Sequence, residues 1–329
     1  MRTKMIFIAS LLVIMMAVSA CGQSGAANQS KPAQTAEAAA PVEEAQTRKV
    51  TTVNGEVEIP VNPQRVVATY YLGELAALGI KPVGAVERQL GKASPNLAPY
   101  SEGIAGIGDF PPNLEAIAAL EPDLIIATDF DNIEYADYSK IAPTVVISWS
   151  TDDVATKLRS IAALLGKDAE AEAFIQEMDA NAAKAREAIK GHISQEETVA
   201  IIRFFGKSIR AYGGRDIGYA LYHSLELTPT PLIKQAMEQN PNFTSTEDVS
   251  LEKIPEYAAD RIFVLVSDEE ADSQYNELQK SAIWANLPAV KNNKVYKIQA
   301  DKWFAYDPIS INVTVDDAVR ILTGEGDKE

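Results

Sequence analysis

The 329-residue sequence has one cysteine, Cys21, and two histidines, His192 and His223. A lone thiol closes no intrachain disulfide and builds no cysteine cluster. Two imidazoles are too few for a histidine-rich zinc or manganese site. No Gly-x-Ser-x-Gly elbow and no Gly-x-x-x-x-Gly-Lys-Ser/Thr phosphate loop occurs. Gly103-Ile104-Ala105-Gly106-Ile107-Gly108 is glycine-rich, but it does not lead from a strand into a helix with dinucleotide spacing. No pair of carboxylates stands out from the acidic background, so catalysis has no assembled motif. Cations are scarce as well: 30 Lys and Arg against 46 Asp and Glu give a formal charge of −16. Losing Arg2 and Lys4 with the first segment makes the remainder more acidic still. That balance argues against nucleic acid and anionic membrane surfaces as partners. The long apolar run, Met5 to Val18, is too short and too close to the N-terminus for a membrane span.

That run is informative in another way. Arg2 and Lys4 precede it, and it closes on Val18-Ser19-Ala20-Cys21. Residues 1–20 therefore read as a secretory signal, and small residues directly before a cysteine resemble a bacterial lipobox. Cys21 is the expected lipidation site. Residues 21–47, rich in Ala, Gln, Ser and Pro without periodicity, read as a flexible linker behind the anchor.

The rest is organised around Asp168–Lys190. Ala171, Phe174, Ile175, Met178, Ala182, Ala185 and Ile189 recur at three- and four-residue steps, on one helical face. Asp168 is a candidate cap, Glu170 and Glu172 suit the first turn, and Gly191 supplies a stop. At ~1.5 Å per residue such a helix spans roughly 34 Å, the width of a small domain.

Short apolar strands alternate with helices on both sides of this spine. Before it come strands 66–70, 82–86, 123–127 and 144–147 with helices 72–78 and 113–120. A capped helix then runs from Asp152 or Asp153 to Leu165. After the spine come strands 198–204 and 208–212, helix 217–225, strands 261–266 and 294–298, and helix 309–322. The alternation predicts wound parallel sheets. The blocks echo one another: Asn113-Leu114-Glu115-Ala116-Ile117 followed by Asp123-Leu124-Ile125 matches Ser250-Leu251-Glu252-Lys253-Ile254 followed by Asp260-Arg261-Ile262 at identical spacing. Residues 48–150 thus read as an N-terminal α/β lobe, 151–192 as connecting helices including the spine, 193–323 as a C-terminal α/β lobe and 324–329 as a tail. Residues 229–244 have no assignment.

Taken together, the lipobox, the linker, Arg65-Val66-Val67-Ala68, the run Leu72 to Gly84, Asn113-Leu114-Glu115, Glu121-Pro122-Asp123-Leu124-Ile125-Ile126 and Ile141-Ala142-Pro143-Thr144-Val145-Val146 resemble the ferric-siderophore substrate-binding lipoproteins of ABC importers. The resemblance is to the helix-hinged class III binding proteins, whose hydroxamate-binding members from Gram-positive bacteria look most similar. It covers nearly all of residues 48–322. It implies two Rossmann-like lobes joined by one long α-helix, a ligand in the cleft between them and no catalysis. It also implies a monomer anchored by lipid to the outer face of the cytoplasmic membrane, and no cofactor beyond that lipid. The cargo is an iron(III)–siderophore complex whose metal is held by the siderophore. The partner is a homodimeric or heterodimeric permease with its ATPase, and Glu115 and Glu252 match the residues that dock onto it.

Ligands of wound α/β lobes meet loops at the carboxyl ends of strands. Those loops carry Tyr70, Arg88 and Trp149 in the first block, and Arg203, Arg210, Tyr212, Arg215, Trp303, Phe304 and Tyr306 in the second. Residues 203–215 interleave four cations with aromatics in an otherwise acidic chain, a pattern suited to oxygen-rich ligands with an organic backbone. Tyr70, Arg88, Arg203, Arg210, Tyr212, Trp303 and Tyr306 are the expected ligand contacts. Trp149 and Phe304 are expected in the core, and Arg215 beside Asp216 or a helix end. Hydroxamate leads among siderophore types, with citrate-based carboxylates next. Cobalamin or haem on the same fold, a metal-ion binding lipoprotein, and an enzyme acting on a ferric chelate are the rival readings.

Overall fold

A computed structural model describes residues 46–150 and 152–325. The expected signal segment, Cys21, the linker to residue 45 and tail residues 326–329 lie outside the described residues. The described residues form one compact unit.

It opens with an antiparallel hairpin, β1 (Thr47–Thr52) and β2 (Gly55–Pro60), which adds to the expected elements. The first sheet follows: β3 (Val66–Ala68), β4 (Gly84–Ala85), β5 (Ala105–Gly106), β6 (Leu124–Thr128) and β7 (Thr144–Ile147), all parallel in the order β5-β4-β3-β6-β7. The second sheet holds β8 (Thr198–Phe205), β9 (Ser208–Ala211), β10 (Thr228–Pro229), β11 (Arg261–Val266) and β12 (Val295–Ile298). Its parallel order is β10-β8-β11-β12, with β9 folded back antiparallel on β8. The architecture is the expected two-lobed α/β fold.

Both faces of each sheet are covered, which explains the unbroken apolar runs. Val66, Ala68, Leu124 and Ile126 pack on one side of the first sheet, and Val67, Ile125 and Ala127 on the other. In the second sheet Val199, Ile201, Phe263 and Leu265 face one core, while Ala200, Ile202, Ile262 and Val264 face another. The echo between lobes has a physical basis. Asp123 accepts the backbone N–H groups of Gln64 and Arg65 at 2.6 and 2.9 Å, fixing the entry to β3. Asp260 likewise accepts the N–H and hydroxyl of Thr198, each at 2.8 Å, at the start of β8.

Helix Val154–Leu165 is capped by Asp153, which accepts the Thr156 N–H at 2.7 Å, and Gly166 ends it in the left-handed region. The spine helix is Asp168–Ala188, about 32 Å long at ~1.5 Å per residue. Its N-terminal half gives Ala171 and Ile175 to the core of the first lobe, and its other end gives Ala185 and Ile189 to the core of the second. One rod is thus rooted in both lobes. Asp168 is not the cap as expected; Lys167 occupies that position without a side-chain bond, and Asp168 is already helical.

Three further differences concern the second lobe. The expected helix over residues 217–225 is wound as a π-helix, Tyr219–Ser224, with Leu225 N–H bonding Ala220 O at 2.9 Å. Residues 229–244 supply the end of β10 and helix Pro231–Gln239. Helix Glu269–Gln279 is an additional element whose sequence is almost wholly polar, with Ala271, Tyr275 and Leu278 alone buried. The last helix, Pro308–Thr323, starts under the cap of Asp307, which accepts the Ser310 N–H at 2.9 Å. Here the lobes approach closely: a Cβ on Gly73 would lie 2.3 Å from an Asp307 carboxylate oxygen.

Candidate binding cleft

The carboxyl ends of β3, β4 and β7 deliver Tyr70, Arg88 and Trp149 to one side of a hollow of about 310 Å³. The second lobe closes it with Phe304 and Tyr306, which follow the helical turn Ala300–Trp303. Glu74, Asp109, Asp301 and Asp307 add four carboxylates to its lining, beside the polar side chains of Gln89 and Ser94. Asn96 ties the rim by donating to the Lys302 carbonyl at 2.8 Å.

The first-lobe wall is an aromatic cluster. Tyr70 meets Trp149, Phe130 and Phe110 with ring centroids at 4.8, 5.0 and 5.7 Å, the first two edge-on. Arg88 lies 4.4 Å over the Phe110 ring and is paired with Asp109. Trp149 reaches across to Tyr306 at 5.7 Å and packs against the cores of both lobes. Burial pushes the Tyr70 phenol well above its ordinary range, so it stays a neutral donor.

Behind Phe304, on the second-lobe side, stands a pair of arginines. The hairpin places Arg203 of β8 directly opposite Arg210 of β9. Like charges so placed repel, and each is held by other groups. Arg203 donates to the Ser267 hydroxyl at 2.9 Å and the Tyr212 hydroxyl at 3.0 Å, and its guanidinium lies 3.8 Å over Phe304. Arg210 donates to Asp248 at 3.0 Å, and both arginines face Phe205, at 4.6 and 5.2 Å.

Of the expected contacts, Tyr70, Arg88 and Tyr306 line the hollow. Arg203 and Tyr212 border it through Phe304, and Arg210 stands one ring further out, beyond Phe205. Trp303 does not belong with them. It is 1 % exposed, packs 5.8 Å from Phe263 and donates its indole N–H to Asp317 at 2.7 Å, so it is a core residue. Its neighbour Phe304, expected in the core, is exposed on the hollow, and Trp149 lines it too. The turn Ala300–Trp303 ends between the two residues, so they leave it in different directions. Arg215 is not a simple partner of Asp216. Its guanidinium donates to the carbonyls of Trp149, Ser150 and Asp152 at 2.5, 3.2 and 3.2 Å and lies 4.6 Å from the Tyr306 ring. It thereby fastens the chain leaving the first lobe to the second.

Sequence reasoning missed a buried charged group beneath the hollow. Glu74, Lys157 and Asp307 are each at most 5 % exposed. Burial raises the Glu74 carboxyl to about 7 despite the opposing pull of Lys157, and burial also raises Asp307. One cue was available. Lys157 falls on the apolar stripe formed by Val154, Leu158, Ile161 and Leu165, where a charge is out of place.

Glu115 and Glu252 are both exposed, and neither side chain joins an ion pair among the described residues. Glu115 sits in the first turn of helix Leu114–Ala119, where Asn113 accepts its N–H at 2.9 Å. Glu252 sits in the 3₁₀ turn Leu251–Lys253, which leads into Ile254–Tyr257 with Pro255 near its start. The two carboxylates occupy corresponding places in the lobes.

The fold is that of a two-lobed α/β binding protein, with a hollow at the lobe junction. The sequence pattern of periplasmic binding proteins matches residues 71–302, and the chain belongs to that family. It is 31% identical over 322 residues to the iron(3+)-hydroxamate-binding protein YxeB of Bacillus subtilis, covering 96% of this chain and 95% of YxeB. It is 34% identical to the iron(3+)-hydroxamate-binding protein FhuD of the same organism, covering 95% of each. Among solved structures, Staphylococcus aureus SirA complexed with staphyloferrin B superposes with a TM-score of 0.74 at 30% identity, over 84% of this chain and 99% of SirA.

Proposed function

We propose that this chain captures a ferric siderophore in the hollow between its lobes and delivers it to an ABC permease for iron uptake. The observation that carries this reading is the wall itself: aromatic faces from both lobes enclose about 310 Å³, with the Arg203 guanidinium laid over Phe304 at the rim. That volume lies at the lower end of the range for small-molecule sites. A ferric siderophore already supplies the oxygen ligands of its iron. The protein needs apolar faces for the organic frame and donors for metal-bound oxygens, which arginine forks provide. Hydroxamates come first because two relatives are named for them. Citrate-type ligands come next because of the arginine hairpin. Titration of the purified protein with iron-loaded hydroxamate, citrate and catecholate chelators, followed by tryptophan emission, tests the assignment. Quenching by the hydroxamate at the lowest concentration is expected. No quenching below high micromolar concentrations would favour cobalamin or haem.

Arg203→Ala should weaken the hydroxamate complex about tenfold, the loss of one charged hydrogen bond of ~1.5 kcal/mol. Trp303→Phe, in the core, should change affinity less than threefold. The reverse order would move the ligand elsewhere.

Delivery requires contact with the permease, and Glu115 with Glu252 are the proposed docking residues. Each is exposed at the start of a helical turn, one on each lobe. Charge reversal at both should abolish iron uptake by cells and leave chelate affinity within twofold. Lost affinity with retained uptake would reject this role. In the same reading Cys21 carries the lipid that holds the monomer at the outer face of the membrane, and the chain performs no chemistry on its cargo.

A further inference from the structure

Lys157 comes from the helix that precedes the spine, yet its ammonium reaches the lobe junction. Its side chain is fully buried, and its Nζ has no hydrogen-bond partner. The nitrogen lies 3.7 Å from the ring centroid of Trp149 and 4.4 Å from that of Tyr306. Those rings belong to different lobes, stand 5.7 Å apart at 79° and both line the hollow. A cation removed from water and lacking a hydrogen-bonded partner is strongly drawn to aromatic faces. Here one cation serves two. We propose that Lys157 is a positioning residue that clamps Trp149 and Tyr306 together and so sets the shape of the wall on which the ligand rests. The inference builds on the reading of the hollow as the ligand site.

The surrounding charges fit this role. Glu74, from helix Leu72–Ala77, attracts the ammonium; Asp216, after β9, and Asp307, at the cap of the last helix, add to that attraction, and Arg215 opposes it. Glu74 also has an oxygen without a hydrogen-bond partner. The ammonium is therefore retained by a diffuse negative surround while no carboxylate pulls it off the rings. Burial outweighs these attractions and lowers Lys157 to about 8, from an ordinary 10.5. Two consequences have definite signs. The folded chain gains stability from this group as pH rises from 8 towards 10.5, because the unfolded chain binds the extra proton there. The clamp, in contrast, is lost as pH rises through 8.

The chain has three tryptophans, so labelling tryptophan with ¹⁵N gives three indole resonances, with Trp149→Phe identifying the relevant one. In the ligand-free protein the Trp149 resonance should shift with a midpoint near pH 8 while those of Trp284 and Trp303 do not. Lys157→Met should abolish that step and weaken binding of an iron(III)-loaded trihydroxamate at least tenfold at pH 7. Lys157→Arg, which keeps its charge throughout, should abolish the step and hold affinity within threefold. Glu74→Gln should move the step to lower pH by removing an attractive carboxylate. Wild-type affinity together with an unmoved Trp149 resonance in Lys157→Met overturns the clamp. Should Lys157→Met fail to fold, a Trp149 resonance that shows no step below pH 10 in the wild type overturns it equally. If the wild type binds no ferric chelate, the reading of the hollow falls, and the ligand-free indole titration still decides the clamp.

Discussion

Arg215→Ala is expected to destabilise the protein by about 3–5 kcal/mol, the range for removing one partner of a buried charged network. Arg215 is 3 % exposed, and its one guanidinium satisfies the carbonyls of Trp149, Ser150 and Asp152. Alanine leaves these acceptors without the donor and removes the cation that moderates the raised Asp216 carboxyl. The urea midpoint should fall with an unchanged slope. Arg215→Lys should recover less than half of the loss, because an ammonium keeps the charge but cannot span three carbonyls. A loss below about 1 kcal/mol would mean that water replaces the fork freely.

Gly73→Ala should have the next largest effect, and for a steric reason. The added methyl would meet the Asp307 carboxylate at 2.3 Å and the Asp307 Cβ at 2.5 Å. Asp307 cannot swing away, because it is buried and caps the last helix. The lobes must separate, at a cost of about 1–3 kcal/mol for an overpacked contact. Chelate affinity should drop more than tenfold, since Tyr306 and Asp307 line the hollow. Gly73→Ala combined with Asp307→Gly should recover much of that affinity, as glycine caps a helix nearly as well and removes the clashing atoms. A double variant no better than the single one would show that the contact is not what sets the lobe spacing.

The fold was legible because its signals are local. The spine helix announces itself by spacing alone, and the paired Asp123 and Asp260 mark equivalent strand entries even before their hydrogen bonds are seen. The cleft was legible only in part. Loops after strands were where contacts were expected, and Tyr70, Arg88 and Tyr306 from those loops line the hollow. What failed was the choice between neighbours. Trp303 and Phe304 differ by one position at the end of a four-residue helical turn, and no periodicity exists over so short a stretch to say which faces inward. Glu74 and Lys157 failed for another reason. Glu74 reads as a surface charge within its own helix, and Lys157 interrupts an apolar stripe without showing what it meets; only the junction of both lobes with the connecting helix buries the two together.

The contact between Gly73 and Asp307 joins residues from early and late in the described part of the chain. A chain crossing a membrane amino end first would present the first lobe's sheet early, while Tyr306 and the closing helix arrive last. Until then one aromatic bank of the hollow faces water with nothing opposite it. Such a wide sequence separation slows the final docking, and the half-built species is the one exposed to misassembly and proteolysis.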